Sequence, residues 1–448
     1  MAVSTSGQTG ALVSMEQQNS REHRYGLLGE KLGHSFSPQI HKKLGNPDYG
    51  LFAVPKEELD GFLKKRSFSG INVTIPYKKA VIPYLSEISE RAREIGSVNT
   101  VVKRGDGSLA GFNTDYAGML YALRRAGIEL KGKKVLILGS GGTSLTAQAA
   151  AKNSGAREVI VVSRSGEETY QNLPARHADA EVIINTTPVG MFPENGRKLV
   201  SLSEFPNCCG VMDVIYNPFM TAFLQDAEAL GIPYTNGLPM LAAQAKYASD
   251  LFFGKESFGM KAAEPEIDRI TAALYRELSN IILIGMPSSG KSSVGRLLSE
   301  RLGKPFIDLD AMIEARFQKS IPQIFSEEGE AGFRAKEAVC AEEAGKERGT
   351  VIACGGGTVL REENVRALKQ NGCMVLLERE LSLLSTEGRP LSKDSETLKR
   401  MYEERLPVYR RCADVTEDNN QTPEDCAERI EHEIFNYQRT KSEYAGNP

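Results

Sequence analysis

The chain has 448 residues, which at roughly 100–200 residues per domain predicts about three compact units. Its 55 basic and 58 acidic side chains leave a net charge of −3, so charge gives no reason to expect a nucleic-acid or membrane partner. The seven cysteines include no CxxC pair and the five histidines have no HExxH spacing, so we expect neither a disulfide framework nor a Cys/His metal site. The apolar runs are far shorter than the ~20 residues of a membrane span. Together these features predict a reduced, cytoplasmic protein.

Residues 1–22 lack hydrophobic periodicity and are predicted to form a disordered tail. From Arg24 onward, short apolar runs alternate with amphipathic stretches, which is typical of an α/β fold. The predicted strands include 133–138, 157–162, 181–185 and 210–214, with helical segments such as 144–153 between them. This spacing predicts a doubly wound parallel sheet.

A domain boundary is predicted near Leu278. The segment Pro265–Leu278 has helical periodicity and is followed at once by an apolar strand, Asn280–Ile284, that enters a glycine loop of its own. The chain therefore divides into two large units at this point.

The first glycine-rich segment lies between a predicted strand and a predicted helix, where the backbone can approach a pyrophosphate. Its candidate cofactor residues are Gly139, Ser140, Gly141, Gly142 and Thr143. The next strand ends in Ser163, Arg164 and Ser165 rather than in an acidic residue. An arginine suits a 2′-phosphate, so NADP is favoured over NAD. The alternative is that Arg164 is only a solvated charge at the end of a strand.

The second glycine-rich segment, Gly285–Ser292, satisfies G-x-x-x-x-G-K-[ST] directly after a strand. In that motif the lysine reaches the β- and γ-phosphates of ATP, and the hydroxyl of Ser292 coordinates Mg²⁺. The candidate nucleotide contacts are Ser288, Ser289, Gly290, Lys291, Ser292 and Ser293.

Seven polar strings in the first half resemble shikimate dehydrogenase over nearly all of residues 24–278. They are YGLLGEKLGHSFSP (25–38), GINVTIPYKK (70–79), GSVNT (96–100), GFNTDYAG (111–118), NTTPVGM (185–191), DVIYNPFMT (213–221) and NGLPMLAAQ (236–244). The resemblance implies a two-lobed dehydrogenase. Its substrate lobe would span about 23–116 plus 237–278, and its Rossmann-like NADP lobe about 117–236.

The same resemblance implies the site residues of this half. Asp115 would orient Lys78 and bind a hydroxyl, while Lys78 transfers the proton in a carbonyl reduction. The other implied contacts are Ser35 and Ser37 for the substrate carboxylate, Thr74, Asn99, Tyr216 and Gln244 for the ring oxygens, and Val214 and Gly237 for the cofactor. One departure is Thr143-Ser144-Leu145, where relatives often have Ala-Ala-Arg, so Arg164 is left as the only basic determinant for NADP.

Five strings in the second half resemble shikimate kinase over about 280–415, within a predicted P-loop kinase domain of residues 279–448 that has a parallel sheet. They are FIDLDAMIE (306–314), GEAGFRAKE (329–337), ACGGGT (353–358), GRPL (388–391) and ERLPVY (404–409). The resemblance implies that Asp310 takes the proton of the attacking hydroxyl, that Asp308 assists Mg²⁺ through water, and that Arg389 belongs to a lid. The implied shikimate contacts are Arg334, Gly356, Gly357 and Arg405.

Together the two resemblances imply a bifunctional enzyme of aromatic amino acid biosynthesis. NADPH would reduce 3-dehydroshikimate in the first half, and Mg·ATP would phosphorylate the resulting shikimate in the second. Two alternatives stay open, namely that one half is inactive and regulatory, or that the first half also acts on quinate. The two activities are expected to be independent at the level of single residues, and the sequence leaves the oligomeric state open.

Overall fold

The computed structural model describes residues 24–33, 35–255, 261–384 and 395–444, with the backbone alone for 395 and 435–444. The chain forms two compact units. Unit 1 comprises the described residues up to Ala117 together with Ala243–Ala263. Unit 2 comprises Gly118–Ala242 and the chain from Glu264 onward.

Unit 1 contains a mixed six-stranded sheet. The strands are β1 (Tyr25–Gly29), β2 (Tyr49–Ala53), β3 (Gly70–Val73), β4 (Glu87–Ile88), β5 (Thr100–Lys103) and β6 (Leu109–Phe112), and the helices are α1 (Ser37–Lys43), α2 (Leu59–Lys65) and α3 (Glu90–Ile95). The strand order is β2-β1-β3-β5-β6-β4, and β5 is antiparallel to both of its neighbours. Two helices pass between the units. Helix α4 (Thr114–Arg125) leads from unit 1 into unit 2, and a second helix, described below, leads back into unit 1.

The first sheet of unit 2 has five parallel strands. They are β7 (Lys134–Leu138), β8 (Glu158–Val162), β9 (Val182–Asn185), β10 (Gly210–Asp213) and β11 (Tyr234–Thr235), in the order β11-β10-β9-β7-β8. The helices along this stretch are α5 (Gly142–Asn153), α6 (Leu173–His177), α7 (Ala222–Ala229) and α8 (Gly237–Phe252), the last of which continues into unit 1. The four apolar runs that predicted strands lie in β7 to β10.

The second sheet of unit 2 also has five parallel strands. They are β12 (Asn280–Ile284), β13 (Phe306–Asp308), β14 (Val351–Ala353), β15 (Gly372–Glu378) and β16 (Val415–Asp418), in the order β13-β14-β12-β15-β16. The helices are α9 (Glu264–Leu278), α10 (Lys291–Leu302), α11 (Leu309–Phe317), α12 (Ile321–Lys346, non-helical at Gly329), α13 (Glu362–Lys369), α14 (Ser395–Cys412) and α15 (Pro423–Tyr444).

Strand β12 explains why this sheet is covered on both faces. Alternate side chains point to opposite faces of a strand. Ile282 and Ile284 therefore pack in one core with residues of α11 to α14, while Ile281 and Leu283 pack in another with residues of α10 and α15. A continuous apolar run such as this is what a buried parallel strand requires, so the predicted parallel architecture is confirmed.

Helix α9 groups with unit 2, whereas the predicted substrate lobe included it. Its first turns are bonded to α4, because Asp268 accepts hydrogen bonds from the Tyr121 hydroxyl (2.6 Å) and from Arg125 Nε (2.9 Å). Its C-terminal carbonyls at 276, 277 and 279 accept bonds of 2.9–3.1 Å from Lys304 Nζ. Within the described ranges, no helix is long and apolar enough to cross a membrane.

Candidate active sites

Lys78 and Asp115 form an ion pair in unit 1. The Lys78 ammonium donates to Asp115 Oδ2 at 2.6 Å, and the two side chains are only 18% and 11% exposed. Lys78 lies in the turn that follows β3, and Asp115 lies in the first turn of α4. A lysine held against a carboxylate in a half-buried position can act as a proton donor, and the structure brings together the pair that the sequence predicted.

Asn99 fixes the start of α4, on which Asp115 lies. Its amide nitrogen donates to Thr114 Oγ1 at 2.9 Å, and its amide oxygen accepts from the Thr114 backbone N–H at 2.7 Å. Both atoms of the buried side chain are therefore engaged in holding the helix terminus. Asn99 acts on Asp115 in this way, in addition to the ring contact that was predicted for it.

A chain of buried hydrogen bonds continues from Asn99 toward the predicted carboxylate site. Asn72 donates to Thr100 Oγ1 at 3.2 Å and accepts from the Tyr49 hydroxyl at 2.7 Å. Tyr49 in turn faces Ser37, the first residue of α1. Asn72 and Thr100 lie inside the strings that the sequence analysis quoted, but no role was predicted for them.

The remaining substrate residues of unit 1 lie on three different elements. Ser35 Oγ donates to Ser37 Oγ at 3.1 Å, so these two hydroxyls are adjacent, as a carboxylate site requires. Thr74 follows β3, and its backbone N–H donates to Leu28 O at 2.9 Å. Gln244 is buried on α8.

The first glycine loop joins β7 to α5, and its residues fit a dinucleotide. Gly141 is the N-cap of α5 and supplies no side-chain cap, so the first N–H groups of the helix are open to an anion. Gly141 and Gly142 are exposed, and no atom lies within 4 Å of the position that a Cβ would take at either residue. Ser140 is exposed beside them, and Thr143 is half-buried.

Arg164 follows β8 directly and is exposed, as is Ser165. Ser163 is fixed by a hydrogen bond from its N–H to Glu168 O at 3.0 Å. In the described part of the chain, Arg164 forms no hydrogen bond or ion pair, so its guanidinium is available to a ligand phosphate. This geometry agrees with the predicted role in NADP binding and equally with a solvated charge.

Asp213, the last residue of β10, organises the segment that carries Val214 and Tyr216. It accepts hydrogen bonds from Ile215 N (3.1 Å), Asn185 Nδ2 (3.0 Å) and Thr221 Oγ1 (2.8 Å). Burial raises the pKa of the Asp213 carboxyl to about 7, and these three donors oppose the shift. The Gly237 N–H donates to Ile215 O at 2.9 Å, and a Cβ at Gly237 would collide with Val214 O. The structure therefore brings Val214 and Gly237 together.

The second glycine loop is held in shape by its own residues. Gly290 has φ +91°, in the left-handed region that favours glycine, and a side chain there would collide with Asn419. Lys291 is buried, and its ammonium donates to Gly285 O (3.0 Å) and Met286 O (2.8 Å). Ser288 adopts φ +64°, unusual for a residue with a side chain.

Two observations show that this loop fits a nucleotide and its magnesium ion. Ser289 Oγ is buried and has no hydrogen-bond partner in the described residues. Ser292 Oγ donates to Asp308 Oδ2 at 2.6 Å, which places a hydroxyl and a carboxylate side by side. Oxygen ligands of these two kinds suit Mg²⁺ together with phosphate oxygens. Asp308 also caps α11, because its Oδ1 accepts from Asp310 N at 3.1 Å.

The glycines after β14 gather the predicted shikimate residues. A Cβ at Gly357 would overlap the Arg334 guanidinium, and one at Gly355 would lie 2.9 Å from Asp310 Oδ1. Gly356 O accepts from Arg405 Nη1 at 3.2 Å and from the Tyr409 hydroxyl. Its Cα faces Pro287 of the second glycine loop, where a Cβ would come within 2.8 Å. The acidic residue, the two arginines and the nucleotide loop therefore meet at one place.

Glu337 is the residue of this centre for which no role was predicted. Its side chain is 1% exposed; Oε2 accepts from Arg334 Nη1 at 2.7 Å, and Oε1 accepts from Thr358 Oγ1 at 2.7 Å. Burial disfavours the Arg334 charge, but Glu337 and Glu330 outweigh it and raise the pKa of the guanidinium. Glu337 ends the string 329–337, three residues after Arg334, but its burial and its contact with Thr358 are visible only in the structure.

Three further residues belong to the kinase half: Cys354, Arg389 and Ser293. Cys354 is buried, and burial raises the pKa of its thiol well above the ordinary value, as expected for a small core residue rather than a reactive one. Arg389 lies outside the described residues. Ser293 follows Ser292 on α10 and is exposed.

Comparisons with known proteins agree with both resemblances. A family model described as shikimate dehydrogenase substrate binding domain matches residues 27–101, and one described as shikimate kinase matches residues 287–435. The chain is 37% identical over 251 residues to a shikimate dehydrogenase (NADP(+)) of Clostridium perfringens, an alignment that covers 51% of this chain and 92% of the relative.

Solved structures give the same assignment for the first part of the chain. A chorismate mutase/shikimate 5-dehydrogenase fusion protein from Clostridium acetobutylicum is similar, with a TM-score of 0.52 and 38% identity, covering 56% of this chain and 96% of that chain. Quinate dehydrogenase from Corynebacterium glutamicum in complex with NAD has a TM-score of 0.50 and 28% identity, covering 55% and 96%.

Proposed function

The chain belongs to the shikimate dehydrogenase family in its N-terminal part and carries a shikimate kinase domain in its C-terminal part, and from this premise we propose that it catalyses two consecutive steps of the shikimate pathway. The first reduces 3-dehydroshikimate to shikimate with NADPH. The second phosphorylates the 3-hydroxyl of shikimate with Mg·ATP. The observation that carries the proposal is that one chain assembles both the Lys78–Asp115 pair and the glycine-centred cluster of Asp310, Arg334 and Arg405.

When bound, NADPH supplies a hydride and Mg·ATP supplies the phosphoryl group. In the reduction, Lys78 gives a proton to the carbonyl oxygen of the substrate as that oxygen gains negative charge. Asp115, 2.6 Å from the ammonium, orients Lys78 and binds a neighbouring hydroxyl. Ser35 and Ser37 hold the carboxylate, while Thr74, Asn99, Tyr216 and Gln244 bind ring oxygens. The cofactor is held by Gly139–Thr143, Ser163–Ser165, Val214 and Gly237.

In the phosphorylation, Asp310 accepts the proton of the attacking 3-hydroxyl and orients its oxygen. Arg334 and Arg405 bind the shikimate carboxylate, for which planar guanidinium groups are suited. Gly356 and Gly357 lie beside the two arginines and lack side chains, which lets the ring of the substrate approach their backbone. Residues 288–293 hold the nucleotide, Lys291 neutralises its phosphate charge, and Ser292 with Asp308 holds Mg²⁺. A lid role for Arg389 follows from the resemblance alone.

Quinate is a second candidate substrate for the first half, favoured by the similarity to the quinate dehydrogenase from Corynebacterium glutamicum. Quinate differs from shikimate in being a saturated ring with one more hydroxyl.

The cysteines are free thiols, and this supports a reduced, cytoplasmic setting for both reactions.

A single mixture tests the proposal. The protein is incubated with 3-dehydroshikimate, NADPH and ATP, and the loss of NADPH absorbance and the formation of ADP are followed separately. We expect both signals, with ADP formation dependent on prior reduction. If NADPH is not consumed, the dehydrogenase half is inactive. If no ADP forms even when shikimate is added directly, the kinase half is inactive. Either result favours the alternative in which one half is regulatory. In a separate assay, the reduction of NADP or NAD in the presence of quinate measures activity on the alternative substrate.

A further inference from the structure

Within unit 2, the segment that carries Tyr216 is bonded to the kinase half. We call residues 216–221 the Tyr216 loop and Gln370–Asn371, between α13 and β15, the kinase turn. The Phe219 N–H donates to Asn371 Oδ1 at 3.1 Å, and the Met220 N–H donates to Gln370 O at 2.9 Å. Two consecutive backbone donors of the dehydrogenase half are thus satisfied by the kinase half.

These contacts are buried. Asn371 is 1% exposed and Phe219 is 6% exposed. Phe219 also packs edge-on against Tyr275 of α9, with ring centroids 5.0 Å apart, and its carbonyl accepts from Asn236 Nδ2 at 3.0 Å. A buried N–H that loses its acceptor is costly, so the kinase turn strongly favours one conformation of this loop.

The kinase turn is itself firmly held. The Asn371 side-chain nitrogen donates to Gly345 O at 3.2 Å, and the Asn280 N–H donates to Asn371 O at 2.8 Å. Asn280 begins β12, the strand that leads into the second glycine loop. The turn therefore transmits the position of the kinase sheet to the Tyr216 loop.

Arg348 lies in the connection between α12 and β14, and its charge acts on the Tyr216 hydroxyl. Burial raises the pKa of the Tyr216 hydroxyl, and the positive charge of Arg348 opposes this rise. The connection is fixed by hydrogen bonds from Gly349 N–H to Leu278 O (2.8 Å) and from Thr350 N–H to Asn280 Oδ1 (3.0 Å). A cation of the kinase half thus lies near a residue proposed to contact the dehydrogenase substrate.

We propose that Asn371 and Gln370 are positioning residues for the first reaction, because they fix the Tyr216 loop in the conformation that binds 3-dehydroshikimate, with Arg348 as a charged neighbour of the Tyr216 hydroxyl. The inference rests on the proposed function, since it requires Tyr216 to contact that substrate. It also limits the expectation of independent halves, because a dehydrogenase fragment ending at Leu278 lacks all three residues.

The test uses Asn371→Ala in the full chain. We expect the KM for 3-dehydroshikimate to rise about tenfold, while the KM for NADPH and the kinase kcat and KM stay unchanged. Asn371→Asp retains an acceptor for the Phe219 N–H but loses the donor to Gly345 O, so it should restore only part of the affinity. Arg348→Ala should raise the same KM, and Arg348→Lys should restore it.

Arg366→Ala is the matched control. Arg366 pairs with Asp226 across the same surface at 2.8 Å, but its side chain is 45% exposed and it does not contact the Tyr216 loop. Its KM values should equal those of the unmodified protein. If Asn371→Ala raised the KM for both dehydrogenase substrates together, or lowered kinase kcat as well, the residue would be merely structural and the inference overturned.

Tyr216→Phe separates this inference from the proposed function. If Tyr216→Phe raises the KM for 3-dehydroshikimate but Asn371→Ala and Arg348→Ala do not, the inference is overturned and the proposed role of Tyr216 stands. If Tyr216→Phe leaves the KM unchanged, the proposed role of Tyr216 fails first, and the inference fails with it. Should Asn371→Ala not fold, the near-isosteric Asn371→Leu decides, since it also lacks the acceptor for the Phe219 N–H but fills the same space.

Discussion

Lys78 and Lys291 are the two lysines proposed to act in the two reactions, and they are held in opposite ways. Lys78 pairs with a carboxylate from a separate element, Asp115 on α4. Lys291 donates to Gly285 O and Met286 O, two neutral carbonyls of its own loop. The first lysine belongs to a charge pair that can hand over a proton, whereas the second also maintains the shape of the loop in which it acts.

This difference predicts different consequences for the loss of each side chain. Without Lys78 the turn after β3 keeps its backbone bonds, such as that from Val98 N–H to Lys78 O at 2.9 Å, and the loss is confined to the proton donor and its ion pair with Asp115. Without Lys291 the second glycine loop loses both a charge for the phosphates and two internal hydrogen bonds. Chemistry and loop shape are therefore separable in the first half and coupled in the second.

The largest effect is expected for Lys78→Ala. Removal of the proton donor should lower dehydrogenase kcat by about 10²–10⁴-fold. Phosphorylation of added shikimate should continue at the unmodified rate, since Lys78 lies in unit 1 and the kinase cluster lies in unit 2. Steady-state NADPH oxidation and ADP formation measure the two rates, and Lys79→Ala, an exposed neighbour, is the matched control. Equal losses in both assays would mean that Lys78 also supports the kinase half, and the two activities would not be independent.

Lys291→Ala should lower kinase kcat by about 10²–10³-fold, as for the loss of one preorganised charge donor. Because the loop also loses two internal bonds, the melting temperature should fall further than in Lys78→Ala. Calorimetry of the two variants with kinase assays measures both quantities. Arg301→Ala, an exposed change on the same helix α10, should leave the kinase rate intact. A Lys291→Ala protein with unchanged stability would mean that the loop keeps its shape without the lysine.

The sequence predicts most of what these variants test, because strand–glycine–helix patterns and polar strings mark local chemistry. Glu337 and Asn419 were missed, since their roles depend on contacts to Thr358, 21 residues away, and to Ser289, 130 residues away. Pairings at such distances have no local pattern that could predict them.

A smaller effect is expected for Arg164, the arginine proposed to bind the cofactor phosphate. Among the described residues it has no ion-pair partner, unlike Lys78, and it is exposed, unlike Lys291. Arg164 is exposed, so it can act on a ligand only through the 2′-phosphate that distinguishes NADPH from NADH. Arg164→Ala should raise the KM for NADPH about tenfold to a hundredfold, the scale of one charge-assisted hydrogen bond. The KM for NADH should not change. Arg157→Ala, just before the start of β8, removes an exposed arginine that pairs with Glu181 and should affect neither cofactor. If Arg164→Ala altered both KM values equally, Arg164 would be a solvated charge at the end of a strand, and the preference for NADPH would have to arise from the backbone of Gly139–Thr143 alone.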